Sequence, residues 1–427
     1  MKDGIFMHNM KKEEKASYTL FIACWVVYAL ISMTKSTYSA SIAAIIHDGL
    51  FSKSMAGIIN AGFYLFYGAA QIFGARCIDR ISPVFFINAA LIGTTVSLFA
   101  MPLFSSFAAM LIFWSFAGLM QFAIWPATLR IIAEYLLPSH KSRAMVFIAF
   151  SYCSGSIVSY LVASAVLKIA NWKVLFIFTA LLLFAAFVLW GIFAKKSMNI
   201  LESFKEKVSE KKNAPSVSNK DTWRIVFISG VVFLLVATFI RTMLDAGLKS
   251  WVPTMITENY DVSASFASML TTILVLVNIS GVFIVNKLYP LHISNPVTAF
   301  ALCFVAALPL TMLLLLTGKV HVAVIVFLLT AITTLMYSGH QLINVIIPAQ
   351  FSHIHMSGSV AAILNAVASF GAVVASFGFG YLADNFGWGV TIASWSVLAF
   401  IAAVFCSFAI KLWDKFVKKL RKDMVSQ

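Results

Sequence analysis

Five charged side chains stand where the surrounding sequence offers them no water. Lys35, Arg130, Arg241 and Lys249 lie inside long hydrophobic runs, and Asp245 is the one acid well inside such a run. A charge at the centre of a bilayer costs roughly 2.5–3.5 kcal/mol or more, so each of these asks for a partner or a purpose. Arg241 and Asp245 are four residues apart, which puts them on one helix face where they can pair. A buried cation with its own counter-charge can hand itself over to an anionic ligand. Lys249, two turns beyond Arg241, is expected at the external surface or in the outer vestibule. Arg130 is expected near the cytoplasmic end of its run, and His340, Gln341 and Asn344 are expected to bond between helices.

Groups of this kind need a scaffold that crosses a membrane, and the composition supplies one. Of 427 residues 61% are hydrophobic and 11% charged, with a mean hydropathy of +0.92. That balance excludes an ordinary soluble chain. A hydrocarbon core of about 30 Å takes roughly 20 apolar residues per helix. Walking that ruler along the sequence predicts spans near 18–46, 56–75, 83–104, 107–133, 144–168, 173–194, 224–256, 264–288, 296–317, 321–350, 357–383 and 388–411. The expected fold class is an all-α membrane protein with twelve transmembrane helices in two pseudo-symmetric six-helix bundles, at 18–194 and 224–411. A polar N-terminus (1–17), a Lys/Glu-rich linker (195–223) and a tail (412–427) complete the chain.

The formal charge of +15 would suggest nucleic acid in a soluble protein. Its distribution argues otherwise. Of 31 Lys and Arg, 23 fall on the side of the membrane that holds both termini and the linker, and 4 on the other. The positive-inside rule then makes both termini cytoplasmic, in a multi-pass protein of the cell membrane whose partners are the lipid bilayer and a small molecule, with no nucleic acid. The apolar run after residue 17 exceeds 20 residues and lacks a small-residue cleavage pattern, so it reads as a retained span. The five cysteines are widely separated and form no metal or disulfide pattern. No nucleotide-binding, nucleophile or paired-carboxylate motif stands in a plausible context, so no enzyme, metal or cofactor is expected.

The two halves repeat each other. Gly74, Asp79, Arg80 and Pro83 recur 207 residues later as Gly281, Asn286, Lys287 and Pro290, and Gly155 and Trp172 recur at an offset of 216 as Gly371 and Trp388. Parallel duplicated halves place a substrate site near the midplane at their interface, with access alternating as they rock. At the offset of 207, Arg241 on the seventh helix is the counterpart of Thr34 on the first, with Lys35 beside it. Each lies about 25 Å of helical rise from its cytoplasmic start.

These residues resemble the major facilitator superfamily and, within it, the organophosphate:phosphate antiporter family of glycerol-phosphate and hexose-phosphate permeases. The resemblance covers nearly the whole chain. It rests on the Gly74…Asp79-Arg80 loop, where the usual later Gly is Ser82, and on Gly118-x-x-Gln121-x-x-x-Trp125-Pro126-x-x-x-Arg130. Arg241…Trp251-Val252-Pro253-Thr254 and Gly380-Tyr381-Leu382-Ala383-Asp384 complete it. It implies the major facilitator fold and a transporter working as a monomer. In that family an Arg on helix 1 and an Arg on helix 7 clamp the substrate phosphate, helped by a Lys on helix 2 and a His on helix 5. Here the helix 7 Arg matches Arg241, and pore-lining aromatics match Tyr67, Trp125 and Tyr337. The helix 1 Arg falls on Thr34 beside Lys35, the Lys on Gln71 and the His on Ser154.

The substrate-binding set expected from residues and resemblance together is Arg241, Lys35, Tyr67, Gln71, Trp125, Tyr337 and Ser154. Asp245 is the charge partner or coupling residue, and Asp79, Arg80 and Arg130 form a cytoplasmic gate. Because Arg presents a bidentate fork to phosphate and Lys only a point charge, a carboxylate, a sugar acid or a larger polar solute fits this set at least as well as a phosphate ester; the expected substrate is a small polar anion: an organophosphate, a sugar phosphate, or a sugar acid or other carboxylate. It moves by antiport or symport. The alternatives are a membrane sensor of the same ligand class and a multidrug-type exporter.

Overall fold

The computed structural model describes residues 2–205, 225–293, 295–316, 321–351 and 356–425. It is all-α, with no strand among the described residues. Among the described residues twelve helices are long and apolar enough to cross a membrane, and they are numbered here in chain order. They are α1 (Lys12–His47), α2 (Lys53–Gly74), α3 (Pro83–Leu103), α4 (Phe107–Tyr135), α5 (Ala149–Ile169) and α6 (Trp172–Ser203). In the second half follow α7 (Val231–Tyr260), α8 (Ala264–Val285), α9 (Pro296–Leu316), α10 (Val322–Ala349), α11 (Val360–Asn385) and α12 (Gly387–Lys418). A helix satisfies its backbone polar groups within its own segment and without water, which is why apolar runs of this length fold this way.

Three differences from the expected spans have physical causes. The polar N-terminus is one helix with α1, from Lys2 to His47, and α12 runs on to Val425. Once a helix is nucleated each added Lys or Glu extends it at little cost. Pro138 starts a separate ten-residue helix, Pro138–Phe147, so the fifth span begins at Ala149 rather than 144. The expected linker is helical as far as Lys205, continuous with α6, and its remainder at 206–223 lies outside the described residues.

The chain forms two compact units: Met1–Ser41 with Leu65–Lys212, and Ile42–Tyr64 with Asn213–Gln427. In the first, the core is aromatic. Tyr38 stacks on Trp114 at 4.9 Å and meets the edge of Phe176, which Trp172 also meets edge-on. The fully buried Gln121 on α4 donates its amide to Thr34 on α1 and Thr94 on α3. Such cross-helix bonds replace water where none is available.

The second unit includes residues 53–64 of α2, which are tied to α7, α11 and α12. Lys53 forms an ion pair with Glu258 at 3.0 Å, and Trp388 donates its indole N–H to the same carboxylate at 2.8 Å. Asp384 accepts both the backbone N–H and the hydroxyl of Ser54, so a carboxylate on α11 serves the first turn of α2. Deeper in, Asn60 donates to Ser250 and Ser376.

Candidate functional site

Within the second unit, one face of α7 carries Arg241, Asp245 and Lys249 at successive four-residue steps, which places them in a row. Arg241 Nη1 lies 3.7 Å from Asp245 Oδ2, and Lys249 Nζ lies 2.7 Å from Asp245 Oδ1. Arg241 is 2% exposed. Its Nη2 donates to Thr242 Oγ1 at 2.7 Å, and that hydroxyl donates on to the Thr238 carbonyl. Gly339 on α10 leaves room for the arginine stem, whose Cδ is 3.5 Å from where a Cβ would stand.

The partner surface for this row is α10. Lys249 Nζ sits 5.1 Å above the Tyr337 ring, which is stacked with His340 at 6.0 Å. Asn344 donates its amide to His340 Nδ1 at 2.7 Å. The expected bonding of His340 and Asn344 between helices is therefore replaced by a bond within α10. Lys249, expected at the external surface or in the outer vestibule, joins the charged row through Asp245 and keeps a fifth of its side chain exposed. The signal for it was the 241, 245, 249 spacing. Two cations share one carboxylate here, so the three side chains carry one net positive charge.

In the first unit, Lys35 is half-buried on α1 and its ammonium stands 4.5 Å from the centroid of Tyr67 on α2. Trp125 on α4 packs against Tyr28 at 4.8 Å, an aromatic neighbour that the sequence did not single out. Gln71 donates to the Phe122 carbonyl at 3.4 Å. That carbonyl is available because α4 is broken between Gln121 and Ile124, and Pro126 has no N–H to donate four residues back. Ser154 is half-buried on α5. Thr34, the supposed counterpart of Arg241, is fully buried, donates to the Ile31 carbonyl and accepts from Gln121. Its role is packing between α1 and α4.

The expected gate residues are placed unevenly. Arg130 bonds Glu134 at 2.7 Å and donates from Nη1 to the Ile81 carbonyl at 2.9 Å, so it closes the end of the helix that leads out of α2. Arg80 is exposed at the end of that helix, Lys53–Arg80. The Asp79 side chain lies outside the described residues.

The internal repeat is visible in backbone contacts. A Cβ at Gly155 on α5 would meet the Ala29 carbonyl and Ser32 on α1, and a Cβ at Gly371 on α11 would meet the Phe239 carbonyl and Thr242 on α7. Likewise Gly74 approaches Phe122 on α4, and Gly281 approaches Ser338 on α10. The second helix of each bundle thus touches the fourth, and the fifth touches the first, through glycine. The α10 ladder is also distorted, by a π turn at Leu342–Ile346 just before Pro348. The pairs Ala29/Phe239 and Ser32/Thr242 set the α1–α7 register at 210, three residues from the sequence offset. In that register Lys35 is the counterpart of Asp245 and not a neighbour of the counterpart of Arg241.

The family model described as Major Facilitator Superfamily matches residues 20–347. The chain belongs to that superfamily. Its major facilitator fold is shared with a bacterial homolog of the human lysosomal transporter Spinster in an inward-facing, occupied conformation. The TM-score is 0.76 at 16% identity, over 93% of this chain and 97% of that one. A D-xylose–proton symporter gives 0.71 at 12% identity, over 92% and 97%. Sequence relatives are more distant in coverage. Probable anion transporter 6, chloroplastic, of Arabidopsis thaliana is 25% identical over 252 residues, 56% of this chain and 48% of its own length. The glycerol-3-phosphate transporter of Bacillus subtilis is 24% identical over 263 residues, 56% of this chain and 57% of its own. Membrane sensor protein UhpC of Salmonella typhimurium is 23% identical over 155 residues, 36% and 35%. The chain thus spans about half the length, or less, of the curated relatives it matches.

Proposed function

We propose that this protein is a secondary transporter of the cell membrane, with both termini cytoplasmic, that moves a small polar anion by alternating access. Arg241 is its main charge-recognition group. The observation that carries the reading is the α7 row, in which a 2% exposed arginine and a lysine share one aspartate inside a membrane span. An anion completes the charge balance of that row, and a guanidinium binds carboxylate or phosphate oxygens through two parallel bonds. Lys35 over Tyr67, with Trp125, Gln71 and Ser154, is the second contact set, and Tyr337 belongs with Arg241. The relatives named as anion and glycerol-3-phosphate transporters support the same ligand class: organophosphate, sugar phosphate, or sugar acid. Asp245 is already held by two cations, which favours exchange of anions over proton symport through that carboxylate.

The test is uptake into proteoliposomes, with candidate anions first ranked by the thermal stabilisation they give the purified protein. Arg241→Ala is expected to abolish uptake while the protein still inserts and elutes as the wild type does. Undiminished uptake by that variant sinks the assignment. The similarity to a membrane sensor supports a second reading, in which the same site binds an anion and signals without flux. Saturable binding of an anion that the reconstituted protein never moves would decide for the sensor.

A further inference from the structure

The charged row does not use all the polar groups of α10. His340 is exposed, lies stacked on the Tyr337 ring at 6.0 Å, and is within electrostatic range of Arg241, Asp245 and Lys249. Its Nδ1 meets Asn344 Nδ2 at 2.7 Å, while its Nε2 has no hydrogen-bond partner among the described residues. Asn344 itself sits in the π turn, where the Ile347 N–H reaches five residues back to the Leu342 carbonyl. Pro348 has no N–H for the Asn344 carbonyl, so the ladder cannot close there in the ordinary way. Distortions of this kind are frequent at functional sites, and this one carries the side chain that caps the imidazole.

The two nitrogens of an imidazole are distinct, and the bond made by one fixes the proton on the other. An amide N–H donated to Nδ1 needs a lone pair there. The ring is then neutral, with its proton on Nε2. Charge points the same way, because two cations already share a single carboxylate in the row and repel a third. The opposite orientation of the amide would put the proton on Nδ1 and turn the Nε2 lone pair outward, where it repels an anion. A proton on Nε2 instead offers an anion a directional bond without adding charge to the row.

We infer that His340 is a further substrate-binding residue, donating its Nε2–H to an oxygen of the anion drawn to the α7 row, and that Asn344 is the positioning residue that fixes this tautomer. The inference rests on the reading of the row as an anion site. Lys249, with a fifth of its side chain exposed above the ring that stacks on His340, brings a cation to the same side of α10. A carboxylate or phosphate has oxygens for both.

The probes are inorganic phosphate and acetate, titrated against the full-length protein in liposomes with its histidine nitrogens isotope-labelled for NMR. Among the 8 histidines, His340 is identified by the signal missing from His340→Gln. Wild type is expected to show a neutral ring protonated at Nε2, and a bound anion should shift that nitrogen. Asn344→Asp, whose carboxylate accepts from Nδ1, should place a proton on Nδ1 and weaken anion binding about tenfold, as the loss of one hydrogen bond to a charged group would give. His340→Leu should weaken binding as much, and His340→Gln, which keeps an N–H donor, should weaken it less. A wild-type proton on Nδ1, or an Nε2 signal that a bound anion leaves unmoved, overturns the inference even if the variants fail to fold. Binding lost in Arg241→Ala and unaltered in His340→Leu overturns the inference alone. Binding kept in Arg241→Ala and weakened in His340→Leu overturns the role of Arg241 and supports that of His340. Failure of both anions to bind wild type overturns the two together.

Discussion

Lys249 is nearer to Asp245 than Arg241 is, 2.7 Å against 3.7 Å. The lysine makes the closer ion pair, and the arginine makes the longer one. Asp245 therefore divides its attraction unequally, and the share taken by Lys249 is a share not imposed on Arg241. Removing Lys249 sends the whole attraction to the arginine, which then competes with substrate.

Lys249→Met is accordingly expected to raise the transport KM about tenfold with a smaller change in maximal rate, because it weakens binding rather than a moving step. Adding Asp245→Asn removes the competitor and should recover part of the loss. The coupling between the two, read from a double-mutant cycle in proteoliposomes, should exceed roughly 0.5 kcal/mol. Additive effects would mean that Asp245 does not mediate between the two cations.

The break in α4 gives a second test. Gln71 serves a carbonyl that exists as a free acceptor only because Pro126 cannot donate to it. Gln71→Leu should cost about 1 kcal/mol in thermal unfolding of the detergent-solubilised protein. In a Pro126→Ala background, where the helix bond can re-form, the same substitution should cost much less. Equal costs in both backgrounds would separate Gln71 from the break.

Asp384 serves the first turn of α2 from a different helix, a role that a capping residue usually performs from within its own chain segment. Asp384→Ala should lower unfolding stability by about 1 kcal/mol. Asp384→Asn, which keeps an acceptor, should cost less. Identical melting of Asp384→Ala and wild type would show the two bonds to be replaced by water.

At the glycine contacts, an added Cβ has no room against a backbone carbonyl. Gly155→Ala and Gly371→Ala should each destabilise by about 1–3 kcal/mol through overpacking. They share no contact residue, so the double variant should show the sum. A neutral result at either position would mean that the helix pair there shifts apart freely.

Much of the scaffold was legible in the sequence because a bilayer enforces a simple ruler. Twelve apolar runs gave twelve helices, and the repeat read from Gly74/Gly281 and Gly155/Gly371 reappears as matched glycine contacts. The ends were less legible, since the polar residues that continue a helix before residue 18, after 194 or after 411 carry no mark distinguishing a helix from a loop. At the site, the Arg241–Asp245 pair followed from four-residue spacing alone. Lys249 obeys the same spacing, but its neighbour Tyr337 comes from another helix, and no spacing within α7 could point to that ring. Thr34 shows the opposite error. Sequence offset aligns loops, and the three-residue difference from the α1–α7 register set by the glycine contacts moves the counterpart about 4.5 Å, nearly one turn, along the same helix face.

That register has a consequence for how such a chain diversifies. What the two bundles hold in common at α1/α5 and α7/α11 is main chain meeting glycine, an interaction blind to the side chains around it. Lys35 and Asp245 occupy equivalent places in the two repeats with opposite charge. The architecture thus inherits its joints and leaves its chemistry unassigned, so one duplicated framework is free to carry unlike polar groups on its two faces.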